Sequence, residues 1–538
     1  MRITAIQLPY FLPLFLFLVS GFSLAQEGEF VSATVIDQST GEPVIFASVL
    51  LKGKARGVIT NLDGGFRLPA RYREEGFTIQ ISSMGYQKKE VPLLKLSLTS
   101  LNTISLNPGV LELTEAVVSA KKKREPTARQ IIRRAIVNIL QNYPTSNFTT
   151  KGYYRDYQLD SLGYLNLNEA LLEVFDAGFD EIDSATTKTR IYDYVQNKDF
   201  RRDTLADDLY NYMNGRKTID KAYLKAYGGN EFTILRVHDA IRNYRLNSFD
   251  FINNMTKGDI LKNHSFKKLE ETYFDEENLY TIQIRRTEPG FKTRGTIYIA
   301  KKDYAIHKLQ YAVYDRSKKN LDPFLQQQGI KGQLVFQVTT EYKRGVQDKM
   351  FLNYISFHNT FRLAKPPKFV VRYLTVLPER SAFVLHFNNR LASRSGTDIS
   401  DSGFWYKFKY KDKEIKFQNT RIILDSTVYL YPKMAARPLN NMMRELVTMN
   451  RKNMDVGRVL KFSVGGLLDI DGNALNTWEY KDYNQFREYF VQELENHPQK
   501  PVDSLLMDKY APIFEKQPMY RPDNFDEYWM NTPLQKSQ

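Results

Sequence analysis

Cysteine is absent from all 538 residues. That excludes a disulfide framework, a thiolate nucleophile and lipid attachment to an N-terminal cysteine, so an exported chain of this composition must be held by its cores alone. Histidine is nearly as scarce. None of the six, His238, His264, His307, His358, His386 and His497, is followed by Glu at the third position, which excludes a zinc peptidase built on His-x-x-Glu and a distant His. A Gly-x-Ser-x-Gly elbow, a P-loop and His-Glu-x-x-His are also missing. Ser265 and Lys268 satisfy Ser-x-x-Lys, but on an expected strand and without companion motifs, so chance explains the match. Beyond the N-terminus there is no apolar run with the length of a transmembrane helix, although barrel strands would leave a weaker trace.

The one long apolar run, Phe11–Val19, follows a single basic residue, Arg2, and precedes small residues at Ser23 and Ala25. It predicts a secretory signal peptide over residues 1–25, cleaved after Ala25. The alternative, an uncleaved anchor, is opposed by Pro13 and by the shortness of the run. The remainder is long enough for three or four domains. A net charge of +15 favours anionic envelope surfaces over nucleic acid for an exported chain, although a solvated basic surface accounts for the same excess.

From Phe30 the pattern is short strands separated by turn signals: "FVSATVID", "VIFASVLLKG", "GVIT", "GFRLPA", "GFTIQISSMGY", "YQKKEV", "NTISLNP" and "VLELTEAVVSA". Such spacing predicts a β-sandwich over residues 26–118. Within it, Asn61-Leu-Asp63-Gly64 raises the question of calcium. Asn61 and Asp63 offer oxygens, but no acidic residue follows until Glu74, so a hairpin turn between "GVIT" and "GFRLPA" is expected. The motifs "GEPVIFASVLLKG", "GVITNLDGGFRL" and "ISSMGY" resemble the carboxypeptidase-regulatory-like domain, a transthyretin-like sandwich of exported Bacteroidota proteins. Gly57, Thr60, Gly64 and Phe66 fit its turn motif, with Val58 and Asn61 departing conservatively. The resemblance implies a non-catalytic accessory module despite the domain's name.

"KKKREPTA" then reads as a basic linker over residues 119–127, with an exposed hinge at Lys121–Arg124. Thr127 and Gln130 form a capping box. Ala128, Ile131, Ile132, Ala135, Ile136, Ile139 and Leu140 recur at helical spacing up to Pro144. Arg129, Arg133 and Arg134 lie off that stripe, facing either water or an anionic membrane. Residues 128–377 are expected to be an α+β domain, the helix packed on a curved antiparallel sheet that includes a meander from Ser265. This part loosely resembles a Bacteroidota envelope family of unknown function and is similar to lipoprotein-carrier-like sheets. That implies an apolar ligand as one possible partner.

Residues 378–538 read as a mixed β/α region. Its strands precede a Met-rich segment, Met434, Met442, Met443, Met449 and Met454, which is either helix core or a docking groove. Asp469 and Asp471 suggest calcium, but the twelfth position from Asp469 is Tyr480, not Glu. Tyr483, Phe486, Phe490 and Leu494 predict a final amphipathic helix, followed by an aromatic cluster of Phe525, Tyr528 and Trp529. Glu169, Glu173 and Asp176 are the carboxylates available for glycoside chemistry, and a polar strand face explains them equally. The fold class is therefore mainly β with an α+β part. No catalytic, cofactor-binding or metal-ligating residue is assigned, and no cofactor. The expected role is non-enzymatic binding or scaffolding at the periplasm or outer-membrane periphery, with an envelope protein as partner. The alternatives are a carboxylate-dependent carbohydrate hydrolase, or a relative or partner of TonB-dependent transporters, because "LELTEAVVSAKKK" resembles the segment that follows this sandwich in those receptors.

Overall fold

The computed structural model describes residues 30–109, 125–207, 229–247, 260–319, 332–392, 405–496 and 501–534, apart from positions 55, 161, 205, 276, 424 and 502. The signal peptide, the hinge Lys121–Arg124 and "VLELTEAVVSA" lie outside them, as does His497. The fold is mainly β, with several antiparallel sheets and a few helices, one of them on the large sheet.

The sandwich forms as its alternation dictates. Phe30–Asp37 alternates half-buried and buried positions, burying Val31, Ala33 and Val35. It lies between Gly65–Pro69 and Asn102–Leu106 in one sheet. The facing sheet runs Gly57–Ile59, Ser48–Leu51, Thr78–Ser82, Lys89–Pro92. One detail corrects the sequence expectation. "GVIT" and "GFRLPA" are not the arms of a hairpin, because Gly57–Ile59 pairs in one sheet and Gly65–Pro69 in the other. The Asn61–Gly64 turn is real, closed by Gly64 N–H donating to the Asn61 carbonyl at 3.0 Å, but it carries the chain between sheets. Gly64 sits at φ +73°, where a Cβ would come within 2.5 Å of the Val35 carbonyl oxygen. A turn motif specifies local backbone and says nothing about which sheet each arm joins.

Among the described residues the large sheet has eleven strands. Its order is Lys188–Gln196, Gly163–Asp176, Phe148–Asp160, Glu479–Asn496, Met350–Lys365, Gly332–Arg344, Ile306–Lys319, Phe291–Ala300, Glu277–Glu288 and Ser265–Lys268, with Thr272–Phe274 also paired to Glu277–Glu288. The stripe forms a helix over Ala128–Val137, and Asn138 separates it from a short helical turn, Ile139–Asn142, on which Ile139 is buried and Leu140 exposed. Thr127 and Gln130 complete the capping box, and Ile131, Ile132 and Ala135 enter the main core of the large sheet. Arg129 and Arg134 stay at the surface, donating to the Leu261 carbonyl and to the Tyr304 hydroxyl at 2.5 Å. The final amphipathic helix is corrected: Tyr483, Phe486, Phe490 and Leu494 lie on the strand Glu479–Asn496. That strand is central and covered on both faces, Tyr489 and Val491 entering the main core while Phe490 packs with Ile59 on the other side. Burial on both faces erases the alternation that would have marked a strand.

Residues 362–482 form a separate compact unit. It contains a four-stranded sheet (Val371–Leu377, Ala382–Phe387, Thr427–Pro432, Phe417–Ile423) and a three-stranded one (Lys413–Ile415, Tyr406–Tyr410, Leu460–Val464). The helix Ala436–Arg451 buries Met442 and Met443 in its core. These methionines are packing residues, while Met434 and Met454 remain exposed.

Candidate functional site

The Asn61 turn points at the large sheet. Arg155, on Phe148–Asp160, donates one guanidinium nitrogen to the Asn61 side-chain oxygen and its Nε to Glu488 Oε2 at 2.5 Å. Strand register puts Arg155 directly opposite Glu488. Both side chains are fully buried. Tyr157 donates to the same carboxylate at 3.2 Å, Ser356 donates to its other oxygen at 3.3 Å, and the guanidinium lies 5.0 Å from the Phe490 ring centroid. Two charges can be buried here because each is paired and hydrogen-bonded.

A second layer comes from the C-terminus. Tyr520 N–H donates to the Ile191 carbonyl at 2.8 Å, covering the open edge of Lys188–Gln196. Tyr528 donates to Glu493 at 2.7 Å, and Arg56 of the sandwich binds Glu493 and, at 2.7 Å, Glu527. Burial pushes the Glu493 carboxyl up, but the bonds from Tyr528 and Arg56 outweigh it and hold it below its ordinary range. Trp529 enters the sandwich core, 5.6 Å from the Tyr72 ring, and its indole N–H donates to the Arg67 carbonyl at 3.0 Å. Asn531 accepts from Arg67 N–H at 2.9 Å and donates to the Ile59 carbonyl at 2.9 Å. Thr532 donates to Glu169 at 2.8 Å. The tail is thus a strap laced between sandwich and sheet, and it accounts for the aromatic cluster Phe525, Tyr528 and Trp529.

The sandwich is a CarboxypepD_reg-like domain. Residues 31–118 match that family. An 81-residue stretch is also 40% identical to the TonB-dependent receptor SusC of Bacteroides thetaiotaomicron, covering 14% of this chain and 8% of the receptor. The similarity points to Bacteroidota and to an envelope association. Among solved structures, a putative outer membrane lipoprotein-sorting protein domain from Vibrio parahaemolyticus aligns at 11% identity, over 43% of this chain and 85% of that one, with a TM-score of 0.22. A LolA superfamily protein from Nitrosomonas europaea aligns at 13% identity over 44% and 86%, with a TM-score of 0.20. Likeness that remote says nothing of what this chain binds.

The carboxylates noted in sequence fall into ordinary roles. Glu169 accepts from Tyr153 at 2.6 Å, Asn197 at 2.8 Å and Thr532. Glu173 pairs with Arg190 at 2.7 Å, and Asp176 is held by Arg236 and Arg242 at 2.8 and 2.9 Å. The structure does not bring the three together as an acid–base pair. Glu231, which the sequence did not single out, is pushed up to about 7 by burial and then by the nearby Asp156 charge. Its Oε2 accepts from Ile513 N–H at 3.3 Å and its side chain is sealed from solvent, so it lacks the access a general acid needs. Ser265 and Lys268 lie on one short strand, with Lys268 bound to Glu125 at 2.5 Å. His238 stacks on Phe357 at 4.0 Å, His358 on Phe486 at 4.0 Å and His386 on Tyr373 at 4.2 Å. His264 faces the Tyr311 hydroxyl at 2.8 Å and His307 faces Glu277 at 3.3 Å. The Asp469 carboxylate accepts from the backbone of Asp471 and Asn473 and from the side chain of Asn389. No cluster of three or more metal-ligating side chains occurs among the described residues.

Asp63 accepts from Gly65 N–H at 3.0 Å. Asp63→Ala is expected to lose about 1 kcal/mol, one local hydrogen bond. Thermal melts with and without calcium should coincide for wild type and variant. A calcium-dependent rise in the wild type that the variant loses would reinstate a metal site at this turn.

The Arg155–Glu488 pair was missed because its partners are 333 residues apart in sequence. A signal does exist: "YYRDY" and "FREYF" each set charges between aromatics, which a solvated strand face would not need.

Proposed function

We propose that this chain is an exported, non-enzymatic protein of the Bacteroidota envelope. It binds or scaffolds a partner at the periplasm or the periphery of the outer membrane, and that partner is a TonB-dependent transporter or a component of its assembly. The reading rests on one observation, the similarity of the first domain to a stretch of the SusC receptor. The seam, the buried Arg155–Glu488 pair with its bond to Asn61, and the strap support it physically. A domain tied to a large sheet by the Arg155–Asn61 bond and the Arg56–Glu493 ion pair presents its outer strands in one orientation, which lowers the entropic cost of docking. The engagement of Glu169, Glu173 and Asp176 by their own neighbours favours binding over carbohydrate hydrolysis. Among the described residues no helix is long and apolar enough to cross a membrane, which leaves a β-barrel unaddressed.

Affinity capture from native envelopes after mild crosslinking tests the proposal. A transporter should be recovered with the full chain and lost when residues 31–118 are deleted. Recovery of soluble periplasmic proteins only would count against it. The purified mature chain should also carry no stoichiometric zinc and show no peptide hydrolysis. Zinc together with chelator-sensitive turnover would overturn the non-enzymatic reading.

A further inference from the structure

The C-terminal segment is tied down before it reaches the strap. Asn230, which caps the helix Glu231–Val237, donates its backbone N–H to the Lys509 carbonyl at 2.6 Å and its side-chain amide to the Ala511 carbonyl at 3.2 Å. Met507 N–H donates to the Thr189 carbonyl at 2.8 Å, and Ile513 N–H donates to Glu231 Oε2 at 3.3 Å. The first three bonds end on neutral carbonyls. The fourth ends on a carboxyl group that is 2% exposed. Its Oε1 has no hydrogen-bond partner among the described residues. Asp156 and Tyr154 act on it from the strand Phe148–Asp160, and Arg487 from the strand Glu479–Asn496. Arg487 is itself engaged by Asp156 at 3.2 Å and by Asn359 at 3.1 Å. The C-terminal segment brings the uncharged Ile513 N–H.

A carboxylate buried with one long hydrogen bond and a second carboxylate nearby is costly, whereas the neutral acid is not. The packing beside it is open. Phe232, Thr233, Met507 and Lys509 help line a cavity of about 220 Å³ between the helix, the start of Lys188–Gln196 and the C-terminal segment. Water therefore reaches the edge of this interface, and the segment has room to lift. We propose that Glu231 is a pH-sensitive latch: as the neutral acid it keeps Met507–Ile513 seated against the helix, and as the carboxylate it releases that segment to water. The strap beyond has its own anchors in Trp529, Asn531 and Thr532, so release is confined to the segment. Seated, the carboxyl is held up at about 7 by burial and then by Asp156; lifted into water, it returns to the ordinary 4.5. Seating is therefore strongest below 4.5, weakens about tenfold for each pH unit between those two values, and levels off above 7. The inference draws on neither the envelope location nor the transporter partner.

Hydrogen exchange of the full chain, corrected for the intrinsic pH dependence of amide exchange, provides the test. Protection of the Met507 and Ile513 amides should fall roughly a hundredfold between about pH 5 and about pH 8. Amides of Tyr406–Tyr410, in the separate unit of residues 362–482, serve as the reference and should keep their protection. Glu231→Gln retains the shape and an acceptor for Ile513 but cannot ionise. It should hold the segment at both pH values as firmly as wild type does at the lower one. Asp239, just beyond the helix, is also pushed up, to about 6, by burial, but its carboxyl accepts from the Tyr342 hydroxyl at 2.5 Å and from the Ile241 and Arg242 N–H groups. A pH dependence that survives Glu231→Gln would therefore belong to another group, Asp239 first, and would overturn the proposal. No pH dependence in wild type would do the same. So would a segment loosened by Glu231→Gln at the lower pH, which would make the carboxyl a structural acceptor and not a latch.

Discussion

Trp529→Ala is expected to loosen the CarboxypepD_reg-like domain even though the substitution lies more than 400 residues beyond it. The side chain is 5% exposed, packs among Val31, Phe66, Leu68 and Tyr72, and holds the Arg67 carbonyl through its indole N–H. Truncating a buried Trp to Ala typically costs about 3–5 kcal/mol. Small sandwiches bury little surface per residue, so a loss of that size is a large share of their stability. The backbone is anchored independently, since Gln492 donates to the Trp529 carbonyl at 2.8 Å and Asn531 bonds the sandwich on both sides. The strap should therefore stay in place while the core beneath it weakens. Hydrogen exchange gives the measurement. Amides of Phe30–Asp37 should exchange about a hundredfold faster or more, while those of Tyr406–Tyr410, in the separate unit of residues 362–482, should not change. Unaltered protection in Phe30–Asp37 would mean that Trp529 covers the sandwich without contributing to its core. An isolated fragment of residues 26–118 lacks Trp529 altogether. It would expose the space that Trp529 fills, and should melt below the same domain in the full chain.

What the sequence made legible follows from what each signal depends on. The capping box at Thr127 and the stripe from Ala128 are local, so the helix was readable. The sandwich strands alternate because one face meets a core and the other meets solvent or the strap. The strand Glu479–Asn496 was not readable, because both its faces are buried and its aromatics fall at spacings that fit a helix as well. The seam was legible only in fragments. "YYRDY", "FREYF" and the Phe525–Trp529 aromatics were visible as oddities, but their meeting is a consequence of topology. The chain's last long strand inserts between Phe148–Asp160 and Met350–Lys365 and carries the strap back to the first domain. No local pattern encodes a return over that distance.

Breaking the Arg155–Glu488 pair from one side should cost far more than removing it whole. Glu488→Gln keeps the shape and leaves a guanidinium fully buried against Tyr157 and Phe490 with its carboxylate gone. Uncompensated buried charge of this kind costs about 3–5 kcal/mol. Arg155→Met alone strands the carboxylate, with only the Tyr157 and Ser356 hydroxyls still donating to it, and should cost a similar amount. The double variant Arg155→Met, Glu488→Leu removes both desolvation penalties and restores apolar contact with the rings. It should cost less than either single change, within about 1–2 kcal/mol of wild type, the remainder reflecting the donor lost to Asn61 and the acceptor lost to Tyr157. The coupling energy from this cycle, read by urea unfolding at the transition of the large sheet, should be several kcal/mol and nearly independent of salt, because no ions penetrate a fully buried pair. If the coupling vanishes, or screens away with salt as a surface pair would, the pair is solvated and cannot be what holds the Arg155 guanidinium against Asn61 of the first domain.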